Sequence, residues 1–205
     1  MPASPGNKPK AVHTTPAMKI IACLGNPGKK YRNNRHNIGF MIGEMLASRY
    51  SIAPSRKEFG ALTGSGRIAD ERCLLVFPQT FMNLSGRSVR EALAWHEEPP
   101  DNLIVIHDEI ELAFGVFRAK FGGGHKGNNG IRSIMQELGT GDFHRVRIGV
   151  GRPANPEIPV ADYLLADFTA DERAGIERLA PQVLDEIVAL IDRNDPDEEQ
   201  GDGNP

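Results

Sequence analysis

Short apolar runs alternate along this chain with longer stretches of helical spacing, and that alternation is the feature that most constrains its fold. Six runs are predicted strands, at 19–24, 59–68, 72–77, 103–107, 116–121 and 144–150. Four stretches are predicted helices, at 38–50, 86–96, 129–138 and 170–191. Helices interleaved with strands in this way predict an α/β domain whose twisted mixed β-sheet is flanked by helices.

Three local signals refine this prediction. The polar link 69–71 between the second and third strands indicates a β-hairpin. Thr169 and Glu172 have the spacing of a capping box and should start the last helix. Pro181 lies inside that helix and is expected to kink or divide it, because proline lacks an amide hydrogen.

The 205 residues suffice for one domain with its own core. We expect a disordered N-terminal extension over 1–17, an α/β domain over 18–192 and an acidic disordered tail over 193–205. No apolar run approaches the ~20 residues of a membrane span, so no membrane partner is expected. Cys23 and Cys73 stand alone rather than in a disulfide framework, which favours a cytoplasmic location.

The formal net charge of −3 conceals a strong segregation of charge along the chain. Residues 19–36 contain five Lys or Arg and no acid, and residues 112–152 contain seven against two acids. The acidic excess comes from 153–191 and from the tail. Clustered basic residues can attract a polyanion despite a negative total, so nucleic acid is not excluded as a partner.

Two polar motifs follow predicted strands, where α/β domains usually bind ligands. LGNPG at 24–28 follows the first strand, so Asn26 and the nearby His36 could converge on one site, or serve only as turn and cap residues. TFMNLSG at 80–86 places the amide of Asn83 beside the apolar Met82. This arrangement suits a binding site in which one oriented amide projects from an apolar wall.

A third motif, HDE at 107–109, ends the strand predicted over 103–107. Acids at the end of a buried strand are costly unless they are paired or functional, and Asp108 could orient a histidine as hydrolase carboxylates do. A metal site is the alternative, using this motif with His36 or His125. No known ligand spacing supports it.

The glycine-rich segment 122–130 precedes a predicted helix, and its amides could face an anion. It formally contains G-x-G-x-x-G, which keeps a dinucleotide-binding enzyme as an alternative. The pattern comes late in the chain, and Asp142, about 20 residues on, lies in a polar turn. The sequence contains no G-x-S-x-G elbow. A hydrolase built from these motifs would therefore activate water with a histidine.

Taken together, the motifs resemble the bacterial peptidyl-tRNA hydrolase family over roughly residues 19–191. The matching segments are LGNPG (24–28), Tyr31, RHN-x-G (35–39), TFMNLSG (80–86), HDE (107–109), the loop ending in Asn129-Gly130, and FHRVRIGVGRP (143–153). The resemblance implies a single α/β domain that hydrolyses the ester joining a peptide to the 3′ end of tRNA. It implies a monomer that acts on peptidyl-tRNA at the tRNA acceptor end and needs neither metal nor cofactor.

The resemblance also implies roles for individual residues. His36 would be the general base for water, and Asp108 would fix its tautomer. The amides that bind substrate or the developing oxyanion would be Asn26, Asn83 and Asn129. The remaining substrate or tRNA contacts would be Tyr31 and Met82 as an apolar wall, His125 and Asn128 in the glycine-rich loop, and Lys120 and Arg147 on phosphate.

Three positions depart from the family pattern. Asn128 stands where histidine is common, Asn34 where threonine is usual and Cys23 where glycine is common. Asn128 can still donate and accept hydrogen bonds, but it cannot titrate. A non-catalytic RNA-binding relative of the same fold remains an alternative, although such a protein would not need both His36 and Asp108.

Overall fold

The structure, a computed structural model, describes residues 17–193. Its strands are Met18–Cys23 (β1), Arg56–Glu58 (β2), Ala61–Ile68 (β3), Glu71–Pro78 (β4), Leu103–Glu109 (β5), Phe117–Phe121 (β6) and His144–Gly149 (β7). Its helices are Ile38–Arg49 (α1), Ser85–His96 (α2), Asn129–Leu138 (α3), Val160–Leu165 (α4) and Ala170–Asp192 (α5). The predicted N-terminal extension and acidic tail lie outside the described residues, apart from Ala17 and Arg193, and stay predictions.

The described strands form one mixed sheet in the order β2-β3-β4-β1-β5-β7-β6. β1 is parallel to β4 and β5, and β5 is parallel to β7. The outer pairings β2 with β3, β3 with β4 and β6 with β7 are antiparallel. The prediction of a mixed-sheet α/β domain is therefore confirmed, and the carboxyl ends of four parallel strands meet at one edge.

Every residue of β1 and β5 is buried, because helices cover both faces of the central sheet. Ile21 and Leu75 point towards a core that includes residues of α1 and α5. Ile20 and Leu74 point towards a second core that includes residues of α2 and α3. Both faces of the central strands are thus fixed by packing, which holds the residues at their ends in place.

Gly39 lets the start of α1 sit directly on the strand ends. A Cβ at this position would lie 2.4 Å from the carbonyl oxygen of Ile106 and 2.5 Å from that of Leu24. Both distances are far shorter than a carbon–oxygen contact allows. The absence of a side chain therefore brings the residues just before α1 onto the carboxyl ends of β1 and β5.

The predicted hairpin is confirmed, since β3 and β4 pair up to Ile68 and Glu71. The two turn residues, Ala69 and Asp70, have φ values of 49° and 63°. Positive φ at both central positions is the geometry of a type I′ turn, which matches the twist of the strands. Alanine occupies a conformation that favours glycine or asparagine.

The secondary-structure predictions needed three corrections. α5 runs unbroken through Pro181, so the predicted division there was wrong. Proline cannot donate to the Glu177 carbonyl, but Glu177 and Pro181 are both exposed, so solvent can hydrogen-bond to that carbonyl. β5 continues to Glu109 because β7 pairs with it as far as Gly149. β2 and α4 were missed, since each is short and lacks a clear apolar period.

Both cysteines are buried free thiols at opposite ends of the sheet. Cys23 ends β1, next to the loop that carries Asn26, whereas Cys73 is near the start of the parallel strand β4. Their side chains belong to the core that contains α1 and α5. Burial raises the pKa of Cys73 to about 12 and raises that of Cys23 still further.

Candidate active site

The carboxyl edge of the parallel strands borders a cleft of about 820 Å³. The loops after β1 and β4, the end of β5 and the start of α3 all contribute to its wall. Of the residues predicted from the sequence, the cleft is lined by Asn26, His36, Met82, Asn83, Asp108, Asn128 and Asn129. Seven predicted site residues from five separate motifs therefore meet at one place.

His36 and Asp108 are hydrogen-bonded at the bottom of this cleft. His36 lies in a single 3₁₀ turn, Arg35–Asn37, ahead of α1, and Asp108 lies in β5. The His36 Nδ1 is 2.8 Å from the Asp108 Oδ1, and the two side chains are 10% and 2% exposed. An ionised carboxylate only accepts hydrogen bonds, so Nδ1 carries the proton and Nε2 is left as a base.

Two opposing effects set the pKa of His36. Burial favours the neutral imidazole, whereas the charge of Asp108 and its hydrogen bond favour the imidazolium. The influence of Asp108 wins, and the pKa of His36 is raised above its ordinary value. The pair is thus a histidine base held in one tautomer and poised to receive a proton.

Asn26 is fixed by a reciprocal amide clamp with Asn37. The Asn26 backbone N–H donates to the Asn37 Oδ1 at 2.9 Å, and the Asn37 Nδ2 donates to the Asn26 carbonyl at 2.9 Å. The Asn26 Oδ1 accepts from the Met82 backbone N–H at 2.9 Å. The Nδ2 of Asn26 makes no hydrogen bond to residues 17–193 and remains as a donor towards the cleft. Asn37 was missed as a site residue, although its place after His36 in the RHN motif was a usable signal.

Asn83 and Asn129 present amides to the same cleft. Asn83 lies in the 3₁₀ turn Met82–Leu84, and Asn129 is the first residue of α3. Both residues are exposed, and neither side chain bonds to a residue within 17–193. Together with Asn26 they supply three amide groups around the His36–Asp108 pair.

Several amides of the glycine-rich loop form hydrogen bonds within the loop itself. The Gly127 N–H donates to the His125 Nδ1 at 3.0 Å, and the Gly130 and Ile131 N–H groups donate to the Asn128 Oδ1 at 3.0 and 3.1 Å. The carbonyls of two earlier glycines in the loop accept hydrogen bonds from Arg145 instead. These three amides are therefore not available to a bound anion.

Four predicted contact residues lie outside the lining of this cleft: Tyr31, Lys120, His125 and Arg147. Tyr31 packs edge-on against Phe81 with ring centroids 6.3 Å apart, and Phe81 itself lines the cleft. Arg147 donates through Nε to the Glu109 Oε2 at 3.1 Å, and its side chain is only 16% exposed. The apolar wall therefore includes Phe81, and the charge of Arg147 is offset by a neighbouring carboxylate.

Other residues that line the cleft were not predicted as site residues, although Lys126 and Arg152 lie within the matching segments. Basic side chains come from Lys126, Arg132 and Arg152. The apolar residues of α4 close another side of the cleft, namely Val160, Ala161, Leu164 and Leu165. The proline-containing stretch before α4 hid this short helix from sequence inspection, although its apolar residues were visible.

Arg35 joins the turn that carries His36 to the segment between α4 and α5. Its Nη2 is 2.8 Å from the Glu172 Oε2, and its Nη1 donates to the Asp167 carbonyl at 3.0 Å. Its guanidinium lies 4.4 Å from the centre of the Tyr163 ring. Asn34 adds a hydrogen bond of 2.7 Å to the Asp167 Oδ1, so the departure from threonine is accommodated by a polar partner.

A second cleft of about 870 Å³ lies beside the first and shares Asn26 with it. Its wall is mostly apolar, with Phe40, Met41, Met45 and Phe77 among the lining residues. Neither His36 nor Asp108 reaches it. The His36–Asp108 pair therefore belongs to the smaller cleft.

Two further properties concern the described residues only. Over 17–193, no three His, Cys, Asp or Glu side chains are grouped as a metal ion would require. The alternative of a metal site therefore has no donor set among these residues. None of the helices in that same range is both long and apolar enough to cross a bilayer.

Comparisons with known proteins agree with the geometry. Residues 20–202 match the family model described as peptidyl-tRNA hydrolase. The peptidyl-tRNA hydrolase of Geotalea daltonii is 49% identical over 176 residues, which are 86% of this chain and 89% of that protein. That of Geobacter sulfurreducens is 47% identical over 85% of this chain and 90% of its own length.

A solved structure gives the same result. The peptidyl-tRNA hydrolase of Acinetobacter baumannii superposes with a TM-score of 0.79 at 35% identity, covering 85% of this chain and 88% of that one. Sequence and fold therefore agree over nearly the same part of the chain, and the predicted resemblance is confirmed: the chain belongs to the peptidyl-tRNA hydrolase family.

Proposed function

We propose that this chain hydrolyses the ester between a peptide and the 3′ end of tRNA, with His36 as the general base. Membership of the peptidyl-tRNA hydrolase family supports the reaction class. The observation that carries the proposal is the contact of 2.8 Å between the His36 Nδ1 and the Asp108 Oδ1 inside a cleft with three asparagine amides. A base of this kind acts on water, so no covalent intermediate is needed.

The reaction proceeds in two steps. The His36 Nε2 takes a proton from water as the water oxygen attacks the ester carbonyl carbon, and Asp108 stabilises the resulting imidazolium. The carbon–oxygen bond to the tRNA then breaks, and the imidazolium returns the proton to the leaving ribose oxygen. The products are tRNA with a free hydroxyl and a peptide carboxylic acid, which loses its remaining proton to solvent.

The amides and the apolar wall position the substrate. The free Nδ2 of Asn26 is suited to donate to the developing oxyanion or to the peptide backbone. Asn83 and Asn129 serve as further donors to the peptide or the terminal adenosine. Met82, together with Phe81 and the edge-on ring of Tyr31, forms the apolar wall for the terminal base or the peptide.

Phosphate contacts come from the basic edge of the sheet. Lys120 pairs with Arg145, and paired residues on antiparallel strands point to the same face of the sheet. Arg147 is two residues from Arg145 on β7, so Lys120 and Arg147 also share that face. Lys120 contacts tRNA phosphate directly, whereas Arg147 contributes less because Glu109 already balances its charge. His125 and Asn128 complete the loop on the tRNA side of the cleft.

The working state is a cytoplasmic monomer that acts on the acceptor end of tRNA. One chain supplies His36, Asp108 and all three amides, so the cleft is complete without a second copy. Light scattering after size exclusion should give the mass of one chain. A dimer that dissociates only with loss of activity would contradict the monomer.

The decisive experiment measures release of tRNA from peptidyl-tRNA by the full chain. The variant His36→Ala should lose nearly all turnover, and Asp108→Asn should lose about 10³-fold or more in kcat, because the imidazolium is no longer stabilised. His96→Ala is the matched control, since His96 lies at the end of α2 and does not line the cleft. Turnover by His36→Ala within a few-fold of the unmodified chain would refute the base assignment. Binding of tRNA without any release by the unmodified chain would favour the non-catalytic relative.

A further inference from the structure

Asn128 connects the start of α3 to the carboxylate that holds His36. Its Oδ1 caps the helix by accepting from the Gly130 and Ile131 backbone N–H groups at 3.0 and 3.1 Å. Its Nδ2 donates to the Asp108 Oδ1 and to the Asp108 backbone carbonyl, both at 3.2 Å. One side chain therefore satisfies a helix terminus and a carboxylate at the same time.

The two ends of this amide cannot exchange places. A rotated amide would turn its NH₂ group towards two backbone donors and its carbonyl oxygen towards the Asp108 carboxylate, so that four hydrogen bonds would be replaced by repulsive contacts. The helix cap therefore fixes the direction of the Nδ2. Asp108 therefore receives this donor in a defined geometry.

The Asp108 Oδ1 is shared between two donors. It accepts from the His36 Nδ1 at 2.8 Å and from the Asn128 Nδ2 at 3.2 Å, and the carboxylate is nearly fully buried. With a single donor, the buried carboxylate could rotate about its Cβ–Cγ bond. With two donors on one oxygen, the direction of that oxygen is set before the reaction begins.

We propose that Asn128 is a positioning residue for hydrolysis, which holds the Asp108 carboxylate in line with His36 and partly offsets its charge. This inference rests on the roles proposed above for His36 and Asp108. It gives Asn128 a function through Asp108 that differs from contact with tRNA. It also explains how the site works with an asparagine at this position, since an amide supplies a cap and a donor together.

Loss of the Asn128 donor should change the pH dependence in a definite direction. The Asp108 charge would be less satisfied and would attract the His36 imidazolium more strongly, so a higher pH would be needed to free the base. The other charged or titratable groups facing the pair are His107, Glu109, Glu111, Lys126, Arg132 and Arg152. These groups remain the same in all the variants compared below, so they cannot cause a difference among them.

The test compares two substitutions that keep the helix cap. In Asn128→Ser the hydroxyl still caps α3 but is too short to reach Asp108, and in Asn128→Asp the cap remains while a carboxylate replaces the donor. The matched control is Asn102→Ser at the opposite end of β5, where Asn102 also accepts from one side chain, Lys19, and donates to another, Glu98. For each variant, kcat and KM for peptidyl-tRNA are measured across pH, with urea unfolding as a check on the fold.

We expect kcat to fall about tenfold in Asn128→Ser and about a hundredfold in Asn128→Asp, with little change in KM. The acid limb of the kcat/KM profile should move to higher pH in both variants, and further in Asn128→Asp. Asn102→Ser should retain the kcat and the profile of the unmodified chain. The urea midpoint of Asn128→Ser should stay close to that of the unmodified chain, whereas that of Asn128→Asp should be lower because two carboxylates then face each other.

Two results would overturn the inference. One is an unchanged kcat and acid limb in both Asn128 variants, which would leave Asn128 as a helix cap only. The other is a rise in KM with no shift of the acid limb, which would assign Asn128 to substrate contact. Both results leave the proposed function intact, whereas an unmodified chain that releases no tRNA overturns the function and the inference together.

Discussion

The protonation of His36 depends on a balance between burial and one carboxylate. Burial alone would keep the imidazole neutral to lower pH, but the charge and hydrogen bond of Asp108 reverse that tendency. The same carboxylate that keeps the base in the correct tautomer therefore also makes it a stronger base. The chain gains basicity at the cost of needing a somewhat higher pH for full activity.

This balance predicts an acid limb in the pH profile of kcat/KM. The base must be neutral to take a proton, and its pKa is raised above the ordinary 6.5 of histidine, so activity should increase with pH through a midpoint above 6.5. Rates measured from about pH 5 to 9 on the unmodified chain test this. A midpoint below 6.5 would show that burial outweighs Asp108.

At the scale of residues, the sequence indicated the proposed base and its carboxylate more readily than the residues that hold them in place. His36 and Asp108 belong to separate motifs, and the sequence already indicated that Asp108 could orient a histidine; the structure joins the two side chains. The clamp between Asn26 and Asn37 and the bond from Asn128 to Asp108 were not predictable. An asparagine amide can hydrogen-bond to water as well as to protein groups. Only the folded geometry therefore shows which groups it joins.

At the scale of elements, Arg35 fastens the turn before α1 to the start of α5. It reaches Glu172 and the carbonyls of Ala166 and Asp167, and Glu172 also accepts from the Thr169 backbone N–H at 2.7 Å in the predicted capping box. The turn that carries His36 is thus supported by residues more than 130 positions further along the chain.

Arg35→Ala should lower the free energy of unfolding by about 3 kcal/mol, because it leaves a partly buried carboxylate and two carbonyls without their partner. Urea unfolding followed by circular dichroism measures the change. The control is Arg49→Ala, whose ion pair with Asp185 is exposed and should contribute little. Equal effects of the two substitutions would show that Arg35 does not anchor the turn.

The β3–β4 hairpin offers a stabilising substitution. Ala69→Gly should raise the free energy of unfolding by about 0.5–1 kcal/mol, since Ala69 has a φ of 49° that glycine adopts without steric cost. The same substitution at Ala94, which is exposed within α2, should lower stability by a similar amount. Denaturant midpoints compare the two variants, and a loss of stability in Ala69→Gly would contradict the turn geometry.

Element boundaries followed the sequence where apolar periodicity was strong and departed from it elsewhere. The long helix α5 begins at the predicted capping box, and its packing on the sheet overrides Pro181. α4 has only six residues and depends on contacts with the turn that carries His36 and with Arg35. No local signal encodes such a helix, because its stability comes from residues distant in the sequence.

At the scale of the whole molecule, five motifs spread from residue 24 to residue 130 converge on one edge of the sheet. Their convergence was predictable because parallel strands place their carboxyl ends together. The strand order, in which β1 lies between β4 and β5, was not predictable from spacing alone. Which basic residues remain unpaired could not be predicted either, since that depends on the register of β5 and β7.

The distribution of charge predicts unequal effects of two basic residues on tRNA binding. Lys120→Ala should weaken binding and reduce the slope of log Kd against log salt by about 1, whereas Arg147→Ala should change the slope less because Glu109 already pairs with Arg147. Lys57→Ala, on β2 at the far edge of the sheet, serves as the control. Titrations at several salt concentrations measure the slopes. A larger change in Arg147→Ala would mean that its pairing with Glu109 breaks in the complex.

The two buried thiols allow local opening to be measured separately at the two ends of the sheet. A thiol reagent can modify Cys23 or Cys73 only after that end of the sheet opens, since both are shielded and resist ionisation. Uncharged tRNA should slow the labelling of Cys23, beside the cleft, and leave that of Cys73 unchanged, as mass spectrometry of each peptide would record. Equal slowing at both positions would mean that the sheet opens as one unit. The labelling rates of the two cysteines thus show how far through the fold a bound ligand suppresses local opening.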